Sequence, residues 1–219
     1  MIPVLFTTYN RLEFTKRSLE ALLESDAVEV IVIDNGSTDG SVEYLDSLKQ
    51  NFSLLKLGEN EGIAGAMNRF LELTQNEIIA GKVDNDTLVP KDWAVKLLDK
   101  LYSCNVDAIQ AKHPLLNATF PGANFDQWMR TKRQDADPSV YHSNFIGGSG
   151  ILFRRDKIKT IPVTDWKLYG WRQYQREHPE LKTAFCTAVE VDLLDMNKTG
   201  GTNYPEEYLD YYKETGRIK

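Results

Sequence analysis

The segment IIAGKVDND, residues 78–86, carries the main fold signal, because a short continuous apolar run ends there in two carboxylates. Three similar runs precede it at 2–8, 28–33 and 52–57, and apolar residues at helical spacing follow each of the four. A further strand is predicted at 106–111. Apolar strands that alternate with amphipathic helices predict an α/β fold, with a mostly parallel central sheet and helices on both faces.

The regular pattern weakens in the C-terminal part of the chain. Residues 112–143 are polar and aromatic and too long for a simple connection, whereas 145–153 have strand character around two adjacent glycines. A helix is predicted near 166–177 and a strand near 183–191. Because the sequence contains no repeat and no linker-like segment, we expect a single domain, 1–219, with a regular half at 1–111 and a less regular half at 112–219.

Composition excludes several classes of protein. Of the 219 residues, 42% are hydrophobic, which is typical of a folded domain. The 26 basic and 32 acidic side chains give a net charge of −6, which argues against nucleic acid as a partner. Cys104 and Cys186 have no CxxC spacing, so they predict neither a disulfide framework nor a zinc site. The first residues lack the pattern of a signal peptide and the sequence contains no run of 18 apolar residues, so we expect neither a signal peptide nor a transmembrane segment. We expect a cytoplasmic, intracellular protein, and a peripheral contact with a membrane stays open.

Polar residues follow the first four predicted strands. Ligands of open α/β sheets bind beyond the carboxyl ends of the strands, so these residues are expected to line one crevice. They are Thr7, Thr8, Tyr9 and Asn10; Asp34, Asn35 and Ser37; Asn60; and Asp84 and Asp86.

The acidic pair Asp84 and Asp86 is the sharpest of these features. Residues i and i+2 of an extended strand point the same way, so the two carboxylates are expected to converge on Mg²⁺ or Mn²⁺. An EF-hand loop is excluded because Val89 and Val95 stand where it needs glycine and glutamate. An aspartyl phosphatase is disfavoured because its acidic pair follows the first strand. The sequence also lacks the glycine-rich loops of dinucleotide-binding and Walker A proteins.

Five segments in this order resemble family 2 nucleotide-sugar glycosyltransferases of the GT-A fold. They are TTYNR (7–11), IDNGSTDGS (33–41), NEGIAGAMN (60–68), KVDNDT (82–87) and GGSGILFRR (147–155). The resemblance covers roughly residues 1–157. It implies a nucleotide-binding half at 1–111 and an acceptor and donor-sugar half at 112–219.

The resemblance implies roles for individual residues. Nucleotide and donor binding is implied for Thr8, Tyr9 and Asn10 near the nucleobase and ribose, Asp34 and Asn35 at the base, Asn60 and Asn68 near the nucleotide, and Gly147 and Gly148 under the donor sugar. Asp84 would face the ribose or the metal, and Asp86 would bind the metal.

The sequence departs from the family pattern at the catalytic base. Trp171 and Arg172 stand where a Gly-Glu-Asp signature would provide the acid. The base candidates are therefore Asp165, Glu190 and Asp192, of which the last two are also candidate metal ligands. Phosphate-binding cations are sought among Lys82, Arg154, Arg155 and Arg172, although Lys82 would alternatively just neutralise the acidic pair.

The expected function is sugar transfer from a nucleoside-diphosphate sugar, by resemblance UDP-linked, to an acceptor hydroxyl in glycan or polysaccharide biosynthesis. The resemblance implies Mn²⁺ or Mg²⁺ as cofactor and inversion as the stereochemical course. Asp86→Ala is expected to abolish turnover with a modest loss of stability. The alternatives are a sugar-phosphate nucleotidyltransferase and a catalytically silent nucleotide-sugar-binding protein. The sequence leaves the donor sugar, the acceptor and the oligomeric state unassigned.

Overall fold

A computed structural model describes residues 1–112, 133–163, 170–195 and 206–214. Its N-terminal half has the predicted alternation of strands and helices. The strands are Ile2–Thr8 (β1), Val28–Asp34 (β2), Ser53–Lys56 (β3) and Ile79–Asp84 (β4), and the helices are Leu12–Leu23 (α1), Ser41–Leu48 (α2), Gly62–Leu73 (α3) and Trp93–Ser103 (α4).

The remaining elements are shorter. The strands are Thr87–Leu88 (β5), Ala108–Lys112 (β6), Arg133–Gln134 (β7), Val140–Ser143 (β8), Ile151–Arg154 (β9), Thr183–Glu190 (β10) and Asp192–Leu193 (β11). The helices are Gly170–Glu177 (α5) and Leu209–Glu214 (α6), and 3₁₀ turns cover Lys49–Asn51 and Glu206–Tyr208.

One sheet of nine strands in the order β3-β2-β1-β4-β9-β6-β10-β8-β7 crosses the described structure. The strands β3, β2, β1 and β4 are mutually parallel, and β6 pairs in parallel with β10. The antiparallel strand β9 lies between β4 and β6. The predicted α/β class with its central, helix-flanked sheet is thereby confirmed. A separate antiparallel pair joins β5, just after the acidic motif, to β11.

Apolar side chains cover both faces of the sheet. Every residue of β1 is buried, as expected for a strand between two helical layers. On one face, Leu19 of α1 and Trp93 and Leu97 of α4 belong to one core cluster. On the other face, Phe70 of α3 and Tyr174 of α5 belong to the second. The two clusters hold the carboxyl ends of β1, β2 and β4 in a fixed frame.

One predicted strand differs from the structure. The strand predicted at 145–153 begins only at residue 151, because Gly150 has a left-handed backbone (φ 63°) that interrupts an extended chain. The helix predicted at 166–177 is described from Gly170 onward. The base candidate Asp165 and most of the segment 112–143 lie outside the described residues. Within the described parts of the chain, none of the helices is both long and apolar enough to cross a bilayer.

Candidate active site

The carboxyl ends of β2, β1 and β4 lie side by side. Thr8 of β1 is level with Asp34 of β2, and Thr7 is level with Asp84 of β4. Neighbouring strands are about 4.8 Å apart, so the two aspartates follow strands about 10 Å apart across β1. The structure thus places Asp84, the first residue of the acidic motif, on the same side of the sheet end as Asp34, as the strand pattern predicted.

Asp34 has one carboxylate oxygen in use and one without a protein partner. Its side chain is buried, and Oδ2 accepts hydrogen bonds from the backbone N–H groups of Gly36 and Ser37, both at 3.1 Å. Oδ1 is buried and has no hydrogen-bond partner among the described residues. A buried carboxylate oxygen is costly to leave unpaired, so this atom is prepared to accept an N–H from a ligand.

The loops after β1 and β2 are tied to each other by Asn10. Its backbone N–H donates to Ser37 Oγ at 2.8 Å, and its side-chain oxygen accepts from the Thr38 N–H at 2.8 Å. The hydroxyl of Thr8 is buried and lies 2.8 Å from that of Thr15. Thr8 therefore ties β1 to α1, Asn10 ties the loops after β1 and β2 together, and half-buried Tyr9 lies between them.

Three predicted nucleotide-binding amides serve the fold in this structure. Asn35 is buried and holds the start of α3, accepting from Glu61 N–H at 3.0 Å and donating to the Gly62 carbonyl at 3.1 Å. Asn60 accepts from the Gly62 N–H at 2.8 Å. Asn68 pairs with the backbone of Ile161 through both ends of its amide, at 2.9 and 2.7 Å. Both ends of the Asn35 and Asn68 amides are bonded to backbone here, and their role as nucleotide contacts stays a prediction.

The acidic motif does not continue β4. The strand ends at Asp84, and Asn85 and Asp86 form a turn before β5. The expectation that Asp84 and Asp86 point the same way along an extended strand is therefore wrong. The turn is fixed by buried Asn85, whose amide donates to the Asn10 carbonyl at 3.0 Å and to Thr15 Oγ1 at 3.0 Å.

Asp84 lies at the open side of this turn. Its side chain is 25% exposed, and Oδ1 accepts hydrogen bonds from Lys82 and, at 3.4 Å, from Thr7 Oγ1. Its backbone N–H donates to Ser149 Oγ at 2.9 Å, which connects the motif to the glycine loop 147–150. Asp84 is consequently the more accessible carboxylate of the motif.

Asp86 is held by an arginine that sequence reasoning missed as a site residue. Arg11 Nη1 lies 3.0 Å from Asp86 Oδ2 and 3.6 Å from Asp195 Oδ2, and Arg11 Nη2 donates to Asn85 Oδ1 at 2.5 Å. These side chains are almost fully buried. Asp195 reaches the motif because β11 pairs with β5 and the Leu194 N–H donates to the Asp86 carbonyl at 2.7 Å. The acidic run VEVDLLD (189–195) pointed to this segment of the chain, but it led to Glu190 and Asp192 as candidates and not to Asp195.

The carboxylates of the motif fit a divalent ion whose remaining ligands come from the substrate and from water. Mg²⁺ and Mn²⁺ take one or two protein carboxylates together with phosphate oxygens and waters. Asp84 has an accessible carboxylate for this purpose, whereas Asp86 would first have to release Arg11. Within the described ranges, no three His, Cys, Asp or Glu side chains are grouped so that they could hold a metal.

The loop 147–150 is fixed by buried polar contacts. Gln110 is buried, accepts from the Gly147 N–H at 2.6 Å and donates to the Ser149 carbonyl at 2.9 Å. A Cβ on Gly147 would lie 2.7 Å from Gln110 Nε2, so packing explains this glycine. A Cβ on Gly148 would meet the Trp171 ring at 3.7 Å, an ordinary contact. Packing alone therefore does not require a glycine at position 148.

Helix α5 places the residues that replace the expected acids. Gly170 is required there, since a Cβ would lie 2.4 Å from the Pro162 carbonyl. Trp171 donates from its indole to the Gly147 carbonyl at 3.0 Å. Arg172 is exposed, with its guanidinium 5.2 Å from the centre of the Phe145 ring. Arg172 thus stays a candidate phosphate-binding cation.

The other two candidate phosphate-binding arginines lie elsewhere. Arg155 is buried and donates to the Leu71 carbonyl at 2.8 Å and the Thr74 carbonyl at 3.1 Å, which caps the C-terminus of α3. Burial lowers the pKa of its guanidinium. Arg154 donates to the Val106 carbonyl at 3.1 Å and stacks on Tyr102. Both lie at the opposite ends of the strands from the acidic motif, so the expectation that they contact the donor is wrong.

The described base candidates are both exposed. Glu190 lies 3.5 Å from Lys112 at the end of β10. Asp192 is in β11 and is level with Leu88 of β5, the strand that directly follows the acidic motif. Asp192 is therefore the nearer of the two to the motif along the β5–β11 pair.

The parallel strands, the buried aspartate and the acidic turn define a nucleotide-binding α/β domain, and comparisons with known proteins identify its family. The model of the family "Glycosyl transferase family 2" matches residues 4–161, and the chain belongs to this family. It is 34% identical over 215 residues to a beta-monoglucosyldiacylglycerol synthase of Synechocystis, covering 86% of this chain and 43% of that protein. It is 30% identical over 95 residues to poly-beta-1,6-N-acetyl-D-glucosamine synthase of Staphylococcus aureus, covering 42% of this chain and 23% of that protein.

Solved structures share the GT-A fold at low sequence identity. Staphylococcus aureus TarS in complex with UDP has a TM-score of 0.65 and 16% identity, over 88% of this chain and 61% of that chain. The mannosyltransferase PcManGT of Pyrobaculum calidifontis, in complex with GDP-Man and Mn²⁺, has a TM-score of 0.66 and 19% identity, over 89% and 56%. The chain spans less than half the length of the curated relatives it matches.

Proposed function

We propose that this chain is the catalytic domain of a glycosyltransferase that moves a sugar from a nucleoside-diphosphate sugar to an acceptor hydroxyl. The carrying observation is the buried Oδ1 of Asp34, which has no partner within the described residues and lies at the carboxyl end of β2. A carboxylate at this point accepts the imide N–H of a uracil or the N–H groups of a guanine. We favour UDP, because the single unpaired oxygen matches the single imide N–H of uracil.

The diphosphate would extend from the base across β1 toward Asp84. Asp84, and Asp86 once released from Arg11, would hold Mn²⁺ or Mg²⁺. When bound, the divalent ion supplies charge that stabilises the departing diphosphate. Gly148 would lie under the donor sugar, next to the Trp171 ring, which a Cβ at this position would meet at 3.7 Å.

The acceptor would be activated by a carboxylate, and the transfer would invert the anomeric centre. Of the described candidates we favour Asp192, since Glu190 is already paired with Lys112. A carboxylate that accepts the hydroxyl proton as the oxygen attacks is general base catalysis. The relatives include a synthase of a glycosylated diacylglycerol and a polysaccharide synthase, so lipid and glycan hydroxyls are the two acceptor classes to screen.

A panel of nucleotide sugars tests the proposal by thermal shift, with and without Mn²⁺. A ligand that binds only the native state raises its melting temperature by mass action. We expect a UDP-sugar to give the largest shift, larger with Mn²⁺ than with EDTA. No shift with any UDP-, GDP- or TDP-sugar would contradict the proposal.

A catalytically silent binding protein is the second candidate, because Trp171 and Arg172 replace the expected acids. Slow hydrolysis of the bound donor distinguishes the two. A transferase releases UDP from the UDP-sugar over hours, whereas a binding protein gives the same thermal shift without release.

A further inference from the structure

Lys82 is a buried cation within the candidate site. Its side chain is 3% exposed and borders a small cavity of about 20 Å³ between β4, the start of α3 and the glycine loop. The other side chains lining this cavity are apolar, namely Ile63, Ala64, Met67, Ile151, Ile161 and Trp171. An ammonium in such surroundings is costly unless charged or polar partners compensate it.

The compensating partners connect two parts of the site. Lys82 Nζ donates to Asp84 Oδ1 and, at 2.8 Å, to the Gly148 carbonyl. Lysine has three N–H donors. Among the described residues, no further protein atom accepts from Lys82, so one donor is left for a ligand between the acidic motif and the glycine loop.

Lys82 carries the positive charge beside the accessible carboxylate of the motif. It pairs with Asp84, whereas Arg11 lies 3.0 Å from Asp86 and 3.6 Å from Asp195. Three carboxylates and two cations leave this group with a net charge of −1. The group therefore repels a diphosphate except at the remaining N–H donor of Lys82, and the charge of Lys82 opposes a divalent ion at Asp84.

We propose that Lys82 is a built-in cation for the donor diphosphate, so that the nucleotide keeps a metal-independent part of its affinity. The inference rests on the proposed function and adds to it a residue that contacts the phosphate. The remaining N–H of Lys82 donates to a phosphate oxygen beside Gly148.

Lys82→Met tests this assignment by calorimetry, with two separate titrations. The variant keeps a linear side chain in an apolar cavity, and Asp84 is exposed enough for water to replace the lost bond. UDP is titrated in EDTA, and MnCl₂ is titrated without nucleotide. We expect the affinity for metal-free UDP to fall about tenfold and the affinity for Mn²⁺ alone to rise about tenfold. Lys157→Met, an exposed lysine at the opposite edge, is the control and is expected to change neither.

Opposite changes are the signature of a phosphate-binding cation. If both affinities fall, Lys82 has a merely structural role, and if neither changes, it contacts no phosphate; either result overturns the inference. Lys82→Gln provides a second neutral variant should the methionine variant fail to fold. Wild-type protein that binds no UDP or GDP under either condition overturns the proposed function as well.

Discussion

Arg11 and Asp86 form a buried ion pair, with Nη1 of the arginine 3.0 Å from Oδ2 of the aspartate. The same guanidinium lies 3.6 Å from Asp195, so one cation joins the N-terminus of α1, the acidic turn and the end of the β5–β11 pair. Removing one partner of a buried pair leaves the other charge uncompensated. Mutations of this triad therefore affect stability as well as activity.

Arg11→Met is expected to lower the free energy of unfolding by about 3 kcal/mol, because two buried carboxylates lose their cation. Urea denaturation of the variant and the wild type measures this. Lys16→Met is the matched control, since Lys16 pairs with Glu13 on an exposed helix surface and should cost under about 1 kcal/mol. Equal losses for the two variants would show that the Arg11 pair contributes no more than a surface pair.

Asp86→Ala is expected to combine lost turnover with a substantial loss of stability, rather than the modest loss that the sequence suggested. The alanine strips a buried guanidinium of its direct partner, which costs about 3 kcal/mol. Thermal denaturation and donor turnover are measured on the same preparation. A variant as stable as the wild type would mean that Asp195 alone compensates Arg11.

Gly36→Ala is expected to damage the loop that holds Asp34. Gly36 has φ 82°, and a Cβ would lie 2.8 Å from the backbone of Glu59. Gly58 is the control, because it has nearly the same φ of 81° with nothing within 4 Å of a Cβ. Gly58→Ala should cost about 1 kcal/mol through backbone strain alone, and Gly36→Ala about 2 kcal/mol or more with weakened UDP binding. If the two variants lose the same stability and bind UDP equally well, the contact of a Cβ at position 36 with the Glu59 backbone does not matter.

Asp192→Asn is expected to reduce turnover at least about 100-fold with little change in UDP affinity, as a general base at this position requires. Glu190→Gln is the comparison variant, because Glu190 is exposed and paired with Lys112. Steady-state kinetics with donor and acceptor provides the measurement. Full turnover in the Asp192 variant would exclude this residue as the base and direct attention to Asp165.

Acid stability should depend on the ion pair between Lys100 and Asp137, whose atoms lie 2.8 Å apart. The Lys100 ammonium, followed by hydrogen bonds from Ser139, lowers the pKa of Asp137 to about 2. Because the folded pKa is below the unfolded value of about 3.9, the stabilisation is present above that value and is lost as the pH falls toward 2.

Asp137→Asn tests this pair by urea denaturation at pH 5 and pH 2.5. We expect the stability difference between wild type and variant to shrink at the lower pH. Asp156→Asn, in an exposed pair with Lys157, is the control. A difference that is constant with pH would mean that the pair does not contribute through the charge of Asp137.

The sequence predicted those parts of the molecule that depend on local patterns. The apolar runs and helical spacings located the four parallel strands and their helices, and the strand ends located Asp34 and Asp84. Tertiary contacts decided the rest. The contact of Asn68 with Ile161, 93 positions away, has no local signal in the sequence. Arg11 was missed because the β1–β4 pairing brings it to Asp86, and Asp195 was missed because the β5–β11 pairing brings it to the same arginine.

Asp34 is proposed to anchor a nucleotide at the carboxyl end of β2. Calorimetric titration of UDP in the presence of Mn²⁺ measures this on wild type, Asp34→Asn and the remote control Asp26→Asn. We predict saturable binding to wild type and to the control, and binding at least about tenfold weaker to Asp34→Asn, since a hydrogen bond to a buried carboxylate is lost. Wild-type protein that binds no nucleoside diphosphate, or an Asp34 variant that binds as tightly as wild type, would contradict this role of Asp34.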